Sequence, residues 1–407
     1  MYAIRSYYGN VKCAAVIDQG RFVVGLADQG LLSVELDREV LIPVGGESEN
    51  KKKNVEQVEY DAEEHLLIVL VGAGKERHVR LVSLFVFILF ILFFQQIPTA
   101  ALDGRDLKWI KVQETRGCHL LCWGTGHPSR LSSHGTNTTG TLQHYFATAL
   151  NKSVLVFQIN RSEKRHSAMR ERAIPGQPQC LSISQGRLFV GYPGSFRVWD
   201  LLDNSQISLV NLEDGSLQFL KSKHCMMLKM IISVWPQRDS DNNDKSTDIN
   251  KHGEVQLSSQ GRPKEYLLVF QKLGLYVDTN GRRSRSQELM FPCRGTGQSS
   301  FAYRSSHLLH FSEHQICVFK VQTAEWVQTI NLRLSRPLHS NGLFVLCQIL
   351  DLPHLVMLGA NQPGSTDRIT SYNVCYTKLL RCSARIVILP VTSVALPRCL
   401  MTAQSRW

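Results

Sequence analysis

The sequence predicts an all-β chain folded as a seven-bladed β-propeller. Three observations predict it. Runs rich in β-branched and aromatic residues recur as strand-turn-strand units, seven of them along 407 residues. Several units start about 40 to 45 residues apart, the period of a blade built from four short strands. One stretch, Ser300 to Ile330, carries four strand-like runs in succession. A β-sandwich or two separate β domains would use similar runs, but four consecutive strands at this period favour blades. Blades also reconcile many short strands with few exposed edges.

In the first unit, Arg21 to Leu26 is followed by an Asp28/Gly30 turn and by Leu31 to Leu36, where Leu32, Val34 and Leu36 share a face. Glu47 to Asn54 is polar and lysine-rich and reads as a loop. The second unit is His65 to Val71, a glycine-containing break at Gly72 to Arg77, and His78 to Val82. Leu81 to Phe94 is apolar apart from Ser83. It is shorter than the ~20 apolar residues a membrane-crossing helix needs. It also exceeds the roughly four to eight residues of a buried strand. A membrane span, a buried strand and a segment foreign to the fold are the three expectations for it.

Trp109 to Val112 is strand-like, and the third unit is Phe146 to Leu150 with Val154 to Ile159. The fourth is Cys180 to Ile183, Gly186 to Tyr192 and Phe196 to Leu201. Gln237 to Pro263 is rich in Asp, Asn, Ser and Lys and reads as a long flexible loop, because it holds too little apolar surface to order itself. The fifth unit has the clearest grammar: Glu265 to Phe270, a Gln271-Lys272 break, Leu273 to Asp278, then Asn280-Gly281, a dipeptide suited to a tight turn. The sixth unit is Ser300 to Ile330, and the seventh is Phe344 to Cys347 with His354 to Gly359.

The chain carries 46 basic and 34 acidic residues, a formal charge of +12, which favours acidic proteins, anionic lipid headgroups or nucleic acid as partners. Its eleven cysteines are scattered without paired spacing, as in a reducing compartment. The N-terminal residues lack the apolar core of a secretory signal, so the sequons at Asn137, Asn151 and Asn160 read as chance.

Catalytic signatures are missing. No kinase Gly-rich loop, His-Arg-Asp or Asp-Phe-Gly occurs, no phosphate-binding loop, and no serine-hydrolase elbow. His310-Phe311-Ser312-Glu313-His314 matches a zinc-peptidase pattern that requires a helix, yet it lies between two strand-like runs. Cys118, Cys122, His127 and His134 are spaced too closely for a zinc finger. The best candidate for partner contact is the basic corner Arg282-Arg283-Ser284-Arg285, whose guanidinium groups could hold carboxylates or phosphates. Structural pairing to Glu288 or Asp278 is the competing role. No aromatic residues interleave these arginines, which argues against nucleic acid.

Glu265 to Phe270, Leu273 to Asp278, Gly281 to Arg285 and Gln287 to Phe291 resemble the hallmark of the citron homology (CNH) domain. Cys13 to Val16, Phe22 to Gly25, Gly117 to Leu120, Val190 to Pro193 and Glu325 to Ile330 resemble the version in myotonic-dystrophy-kinase-related kinases. The resemblance covers residues 13–360, with insertions at about 83–97 and 223–264; residues 1–12 and 361–407 do not resemble the family and are expected to be disordered or artefactual. It implies a non-catalytic regulatory and protein-interaction module of a Ser/Thr kinase acting downstream of Rho-family small GTPases on the actin cytoskeleton. Partners would be small GTPases or cytoskeletal regulators, with peripheral contact to acidic lipids, in the cytoplasm and without a cofactor. The alternatives are a fragment with ATP-dependent kinase activity of its own and a protein anchored in a membrane through residues 81–94.

Overall fold

A computed structural model gives the fold. It describes residues 11–18, 20–35, 40–50, 52–84, 86–90, 93–97, 101–126, 142–160, 165–193, 195–202, 205–221, 228–234, 265–292, 300–304, 306–349, 352–360 and 369–374. The architecture is the predicted one: all-β, with seven four-stranded antiparallel sheets that form the blades of a propeller.

Blade 1 comprises Val11–Val16, Arg21–Leu26, Gly30–Glu35 and Val40–Pro43; blade 2 comprises Val55–Asp61, Leu66–Val71, His78–Ser83 and Ile110–Lys111. Blade 3 is Leu120–Gly126, Gln143–Ala149, Ser153–Asn160 and Arg165–Ala173, and blade 4 is Cys180–Ser184, Arg187–Tyr192, Ser195–Asp200 and Gln206–Ser208. Blade 5 is Leu228–Val234, Glu265–Phe270, Leu273–Asp278 and Leu289–Met290. Blade 6 is Phe301–Arg304, His307–Phe311, Ile316–Lys320 and Glu325–Ile330; blade 7 is Arg333–Pro337, Phe344–Ile349, Leu352–Ala360 and Ile369–Val374. Each blade is a meander whose strands pair in chain order; in blade 2 a separate two-stranded sheet, Val86–Phe90 with Phe93–Ile97, intervenes between the third and fourth strands.

The middle strands are buried on both faces, which is why they read as unbroken apolar runs: Glu265–Phe270 and His307–Phe311 are buried at every position. Fourth strands face solvent, and Gln206–Ser208 is exposed throughout. The chain divides into two compact units, Met1–Asp244 with Leu257–Met290, and Lys245–Gln256 with Phe291–Trp407. In the first, blades 1 and 2 share a core that includes Val23, Leu31, Val69 and Trp109, and blades 2 and 3 share one around Ile68, Val79, Phe146 and Phe157. Val156, Leu188, Tyr192 and Trp199 join blades 3 and 4, while Phe196, Leu217, Leu268 and Phe270 join blades 4 and 5. The second unit is built on Leu309, Phe311, Val318, Val345 and Val356 of blades 6 and 7. Burying each of these large side chains contributes about 1.5–3 kcal/mol, so the cores between blades hold the meanders together.

Three expectations change, and one open alternative, at 81–94, is decided. Glu47–Asn50 is a short helix rather than loop, because buried Asn50 ties it down through Leu31 N–H and the carbonyls of Val44 and Gly46. The apolar run at 81–94 is strand, not a spanning helix: its start belongs to His78–Ser83, and Val86–Phe90 pairs with Phe93–Ile97 in a separate two-stranded sheet. No helix among the described residues is long and apolar enough to cross a membrane. The insertion read at 223–264 contains Leu228–Val234, the first strand of blade 5, because Met230, Ile231 and Ile232 continue a β-prone run. The polar loop from Gln237 to Pro263 lies outside the described residues. Finally, Ile369–Val374, read as outside the fold, pairs with Leu355–Ala360 as the fourth strand of blade 7. Family resemblance fades there, yet alternating Ile369, Ser371 and Asn373 with Thr370, Tyr372 and Val374 can form a strand.

Candidate functional site

The basic corner follows the third strand of blade 5. Asp278 Oδ1 accepts the N–H groups of Asn280 and Arg282, each at 2.8 Å, and folds the chain into a turn. Gly281 adopts φ +75°, and a Cβ there would lie 3.0 Å from the backbone of Ser208 to Asn211, so glycine is required by both conformation and space. Gly281 carbonyl then accepts Asn211 N–H at 2.7 Å, tying the turn to the chain that follows blade 4.

The three arginines occupy different environments. Arg285 is chelated by Glu265, whose side chain is only 6% exposed, and its guanidinium carbon stands 4.1 Å from the centre of the Tyr276 ring. Burial pushes the Tyr276 phenol up. Arg283 pairs with Glu288 at 2.7 Å and donates to the carbonyls of Arg285 and Ser286 at 2.9 and 2.7 Å. Its backbone N–H donates to Asp214 at 3.2 Å. Arg282 is exposed. Asp214 is held low by the hydroxyl and N–H of Ser216, then by Arg283 N–H and by the charge of Arg282.

Sequence reasoning therefore named all three arginines and the Glu288 pairing, but missed Glu265, Tyr276 and Asp214. Glu265 left a trace: a carboxylate opening an otherwise apolar strand buried on both faces requires a cationic partner. Asp214, 69 positions from Arg283, left none. Two of the three guanidinium groups hold the corner together, and Arg282 is the one presented to solvent.

A second polar cluster joins blades 2 and 3. Asp61 is fully buried; its Oδ1 accepts the N–H groups of Glu63 and Glu64 at 3.2 and 3.1 Å, and its Oδ2 accepts Trp123 Nε1–H at 3.0 Å. His144 Nδ1 lies 2.7 Å from the same Oδ2, an ion pair off the line of a hydrogen bond, and His144 Nε2 lies 3.2 Å from Glu63. Burial works to lower the His144 pKa, yet Asp61, Glu63 and Glu64 outweigh it and raise it. A buried carboxylate shared by an imidazole and an indole makes a rivet between blades rather than a reactive centre.

The zinc-like pentapeptide forms the end of His307–Phe311 and the turn into Ile316–Lys320. His310 is fully buried beside Phe301 and Phe291, with ring centroids 4.8 and 5.0 Å away, so its imidazole is a core side chain. Cys118 and Cys122 are buried, and burial raises the thiol of each, Cys118 to about 12. His127 and His134 lie outside the described residues. Among the described residues no three His, Cys, Asp or Glu side chains are grouped to hold a metal ion.

Comparison with known proteins bears on the family and the fold. The chain is 44% identical to the Caenorhabditis elegans serine/threonine-protein kinase mrck-1 over 85% of its own length and 19% of that protein's. It is 32% identical to human serine/threonine-protein kinase MRCK beta, covering 87% of this chain and 17% of the relative, and 31% identical to Drosophila melanogaster Genghis Khan, covering 86% and 18%. The chain thus spans about a fifth or less of these curated relatives. Among solved structures, the AfRom2 CNH domain superposes with a TM-score of 0.53 at 17% identity, over 85% of this chain and 93% of that one, which shows a shared fold. The region is a propeller, not a kinase domain. The CNH domain family model matches residues 19–341, and the chain belongs to the CNH domain family.

Proposed function

We propose that this chain is a non-catalytic regulatory and protein-interaction module of a Ser/Thr kinase that acts downstream of Rho-family small GTPases on the actin cytoskeleton. One observation carries the reading: 85% of the chain aligns at 44% identity with part of a Ser/Thr kinase, and residues 19–341 of the chain match the CNH domain. The module runs from about residue 13 to residue 360, extended by Ile369–Val374. It works in the cytoplasm by binding proteins, a small GTPase or a cytoskeletal regulator, with peripheral contact to acidic lipids favoured by its +12 charge. Contact with an acidic partner runs through Arg282, while Arg283 and Arg285 shape the turn that presents it.

Deleting residues 13–374 from the parent kinase tests this. The truncated kinase should keep its turnover on a peptide substrate and lose recruitment to actin structures in cells. Unchanged recruitment would sink the proposal. Transfer of phosphate from ATP by the purified chain would sink it independently.

A further inference from the structure

Ser284 and Ser286 both lie on the exposed segment between the third and fourth strands of blade 5, but their hydroxyls differ in situation. Ser284 Oγ donates to Glu265 Oε2 at 2.6 Å, and Glu265 is 4% exposed. A phosphoryl group on Ser284 would be driven against a buried carboxylate that already chelates Arg285. Ser286 is exposed, and its hydroxyl has no hydrogen-bond partner among the described residues. Its backbone carbonyl instead receives Arg283 Nη2 at 2.7 Å.

Arginines stand four, three and one positions before Ser286, as Arg282, Arg283 and Arg285. Arg282 is the one of the three presented to solvent, and an acidic substrate groove selects it by charge; Arg283 and Arg285 add to that pattern only by exchanging Glu288 and Glu265 for the groove's carboxylates. From Arg285 to Glu288 the backbone lies beyond the bridge between Val277 and Arg283 and the Ser284 N–H bond to the Tyr276 carbonyl, so a groove reaches Ser286 without opening either.

We propose that Ser286 is a phosphorylation site for a protein kinase that selects basic residues ahead of its target serine. Ser286 Oγ attacks the γ-phosphorus of ATP; the new O–P bond forms as the bond to the ADP oxygen breaks, and the hydroxyl proton passes to the base of the modifying kinase. Phosphoserine brings a charge of about −1.5 to −2 and three acceptor oxygens. Arg283, already in contact with the backbone of Ser286, then binds the phosphate in place of Glu288, from which it now stands 2.7 Å. Phosphorylation thus turns the exposed edge of the corner from cationic to anionic. The inference does not depend on which partner the corner binds.

The test incubates the folded full chain with the catalytic subunit of cyclic-AMP-dependent protein kinase and Mg-ATP, with a synthetic peptide of residues 278–292 as control. Mass spectrometry should place one phosphate on Ser286, S286A should reduce labelling of this segment to background, and S284A should leave it unchanged. Labelling of the peptide but not of the folded chain would overturn the site, as would equal labelling of S286A. In phosphorus NMR, the phosphate should lose its second proton at lower pH in the folded chain than in the phosphopeptide. Identical titration would overturn capture by Arg283.

Discussion

Replacing His310 with phenylalanine should make blade 6 less sensitive to acid. The ring is fully buried, stacked on Phe301 and tilted against Phe291, and neither ring nitrogen has a hydrogen-bond partner. Burial alone lowers its pKa from 6.5 to about 4, so the native state keeps the ring neutral. The unfolded chain protonates it near 6.5. Stability from this group is therefore present above pH 6.5 and is lost as pH falls from there to about 4. Two and a half pH units, at about 1.4 kcal/mol per unit, give a loss of about 3.5 kcal/mol. His310→Phe keeps the aromatic packing, costs less than about 1.5 kcal/mol at neutral pH as a near volume-conserving swap, and removes this proton linkage. Hydrogen exchange of peptides covering 301–330, corrected for intrinsic exchange rates and followed from pH 7.5 to pH 4, reads the local opening free energy. The wild-type value should fall more steeply than that of the variant by one proton's worth. Parallel slopes would refute the assignment of the buried neutral state to His310.

Other outcomes follow from the same contacts. His144 has the opposite sign: its pKa is raised by Asp61, Glu63 and Glu64, so its contribution is present in full below about 6.5 and fades as pH rises through the higher native value. His144→Asn should flatten the stability profile of blades 2 and 3 in that window, measured by the same exchange. Glu265→Gln leaves Arg285 half-buried without its counter-charge and should cost about 3 kcal/mol in urea unfolding, whereas Arg282→Glu on the exposed tip should stay within about 0.5 kcal/mol. Gly126→Ala would set a Cβ 2.4 Å from Gly186 Cα, a backbone contact that cannot rotate away. It should cost more than about 2 kcal/mol, seen as a lowered denaturation midpoint; an unchanged midpoint would mean that blades 3 and 4 do not approach so closely.

The parts of the fold legible in the sequence were those whose residues face the core on both sides. Leu66–Val71, Glu265–Phe270 and His307–Phe311 sit in the middle of their blades, and burial imposes an apolar run that any reader can find. Outer strands were harder because solvent imposes no pattern on them: Leu289–Met290 has two residues and Gln206–Ser208 is wholly exposed, although Ile110–Lys111 was legible within the strand-like Trp109 to Val112. Leu228–Val234 was obscured by the polar sequence that follows it. The hairpin at Val86–Ile97 defeated periodicity altogether, since an unbroken apolar run fits a strand, a helix or an insertion equally well.

The basic corner shows why a charge pattern in sequence is a weak guide to a charged surface. Read along the chain, Arg282-Arg283-Ser284-Arg285 is a concentrated positive patch. In the fold, Glu265 comes from 20 positions before Arg285 and Asp214 from 69 before Arg283, and Glu288 closes on Arg283 from the other side. Glu265 and Glu288 neutralise the two inner guanidinium groups, while Asp214 holds the Arg283 backbone N–H; a half-buried arginine without a partner would cost several kcal/mol. Long-range pairing of this kind leaves no local mark, whereas the residues it excludes can be identified once the partners are known. Arg282 and Ser286 are what remains on the outside, so reversing the charge at Arg282 should alter partner capture without altering folding. Reversal at Arg285 should do both, and an Arg285 variant that folds normally would undo this division of labour.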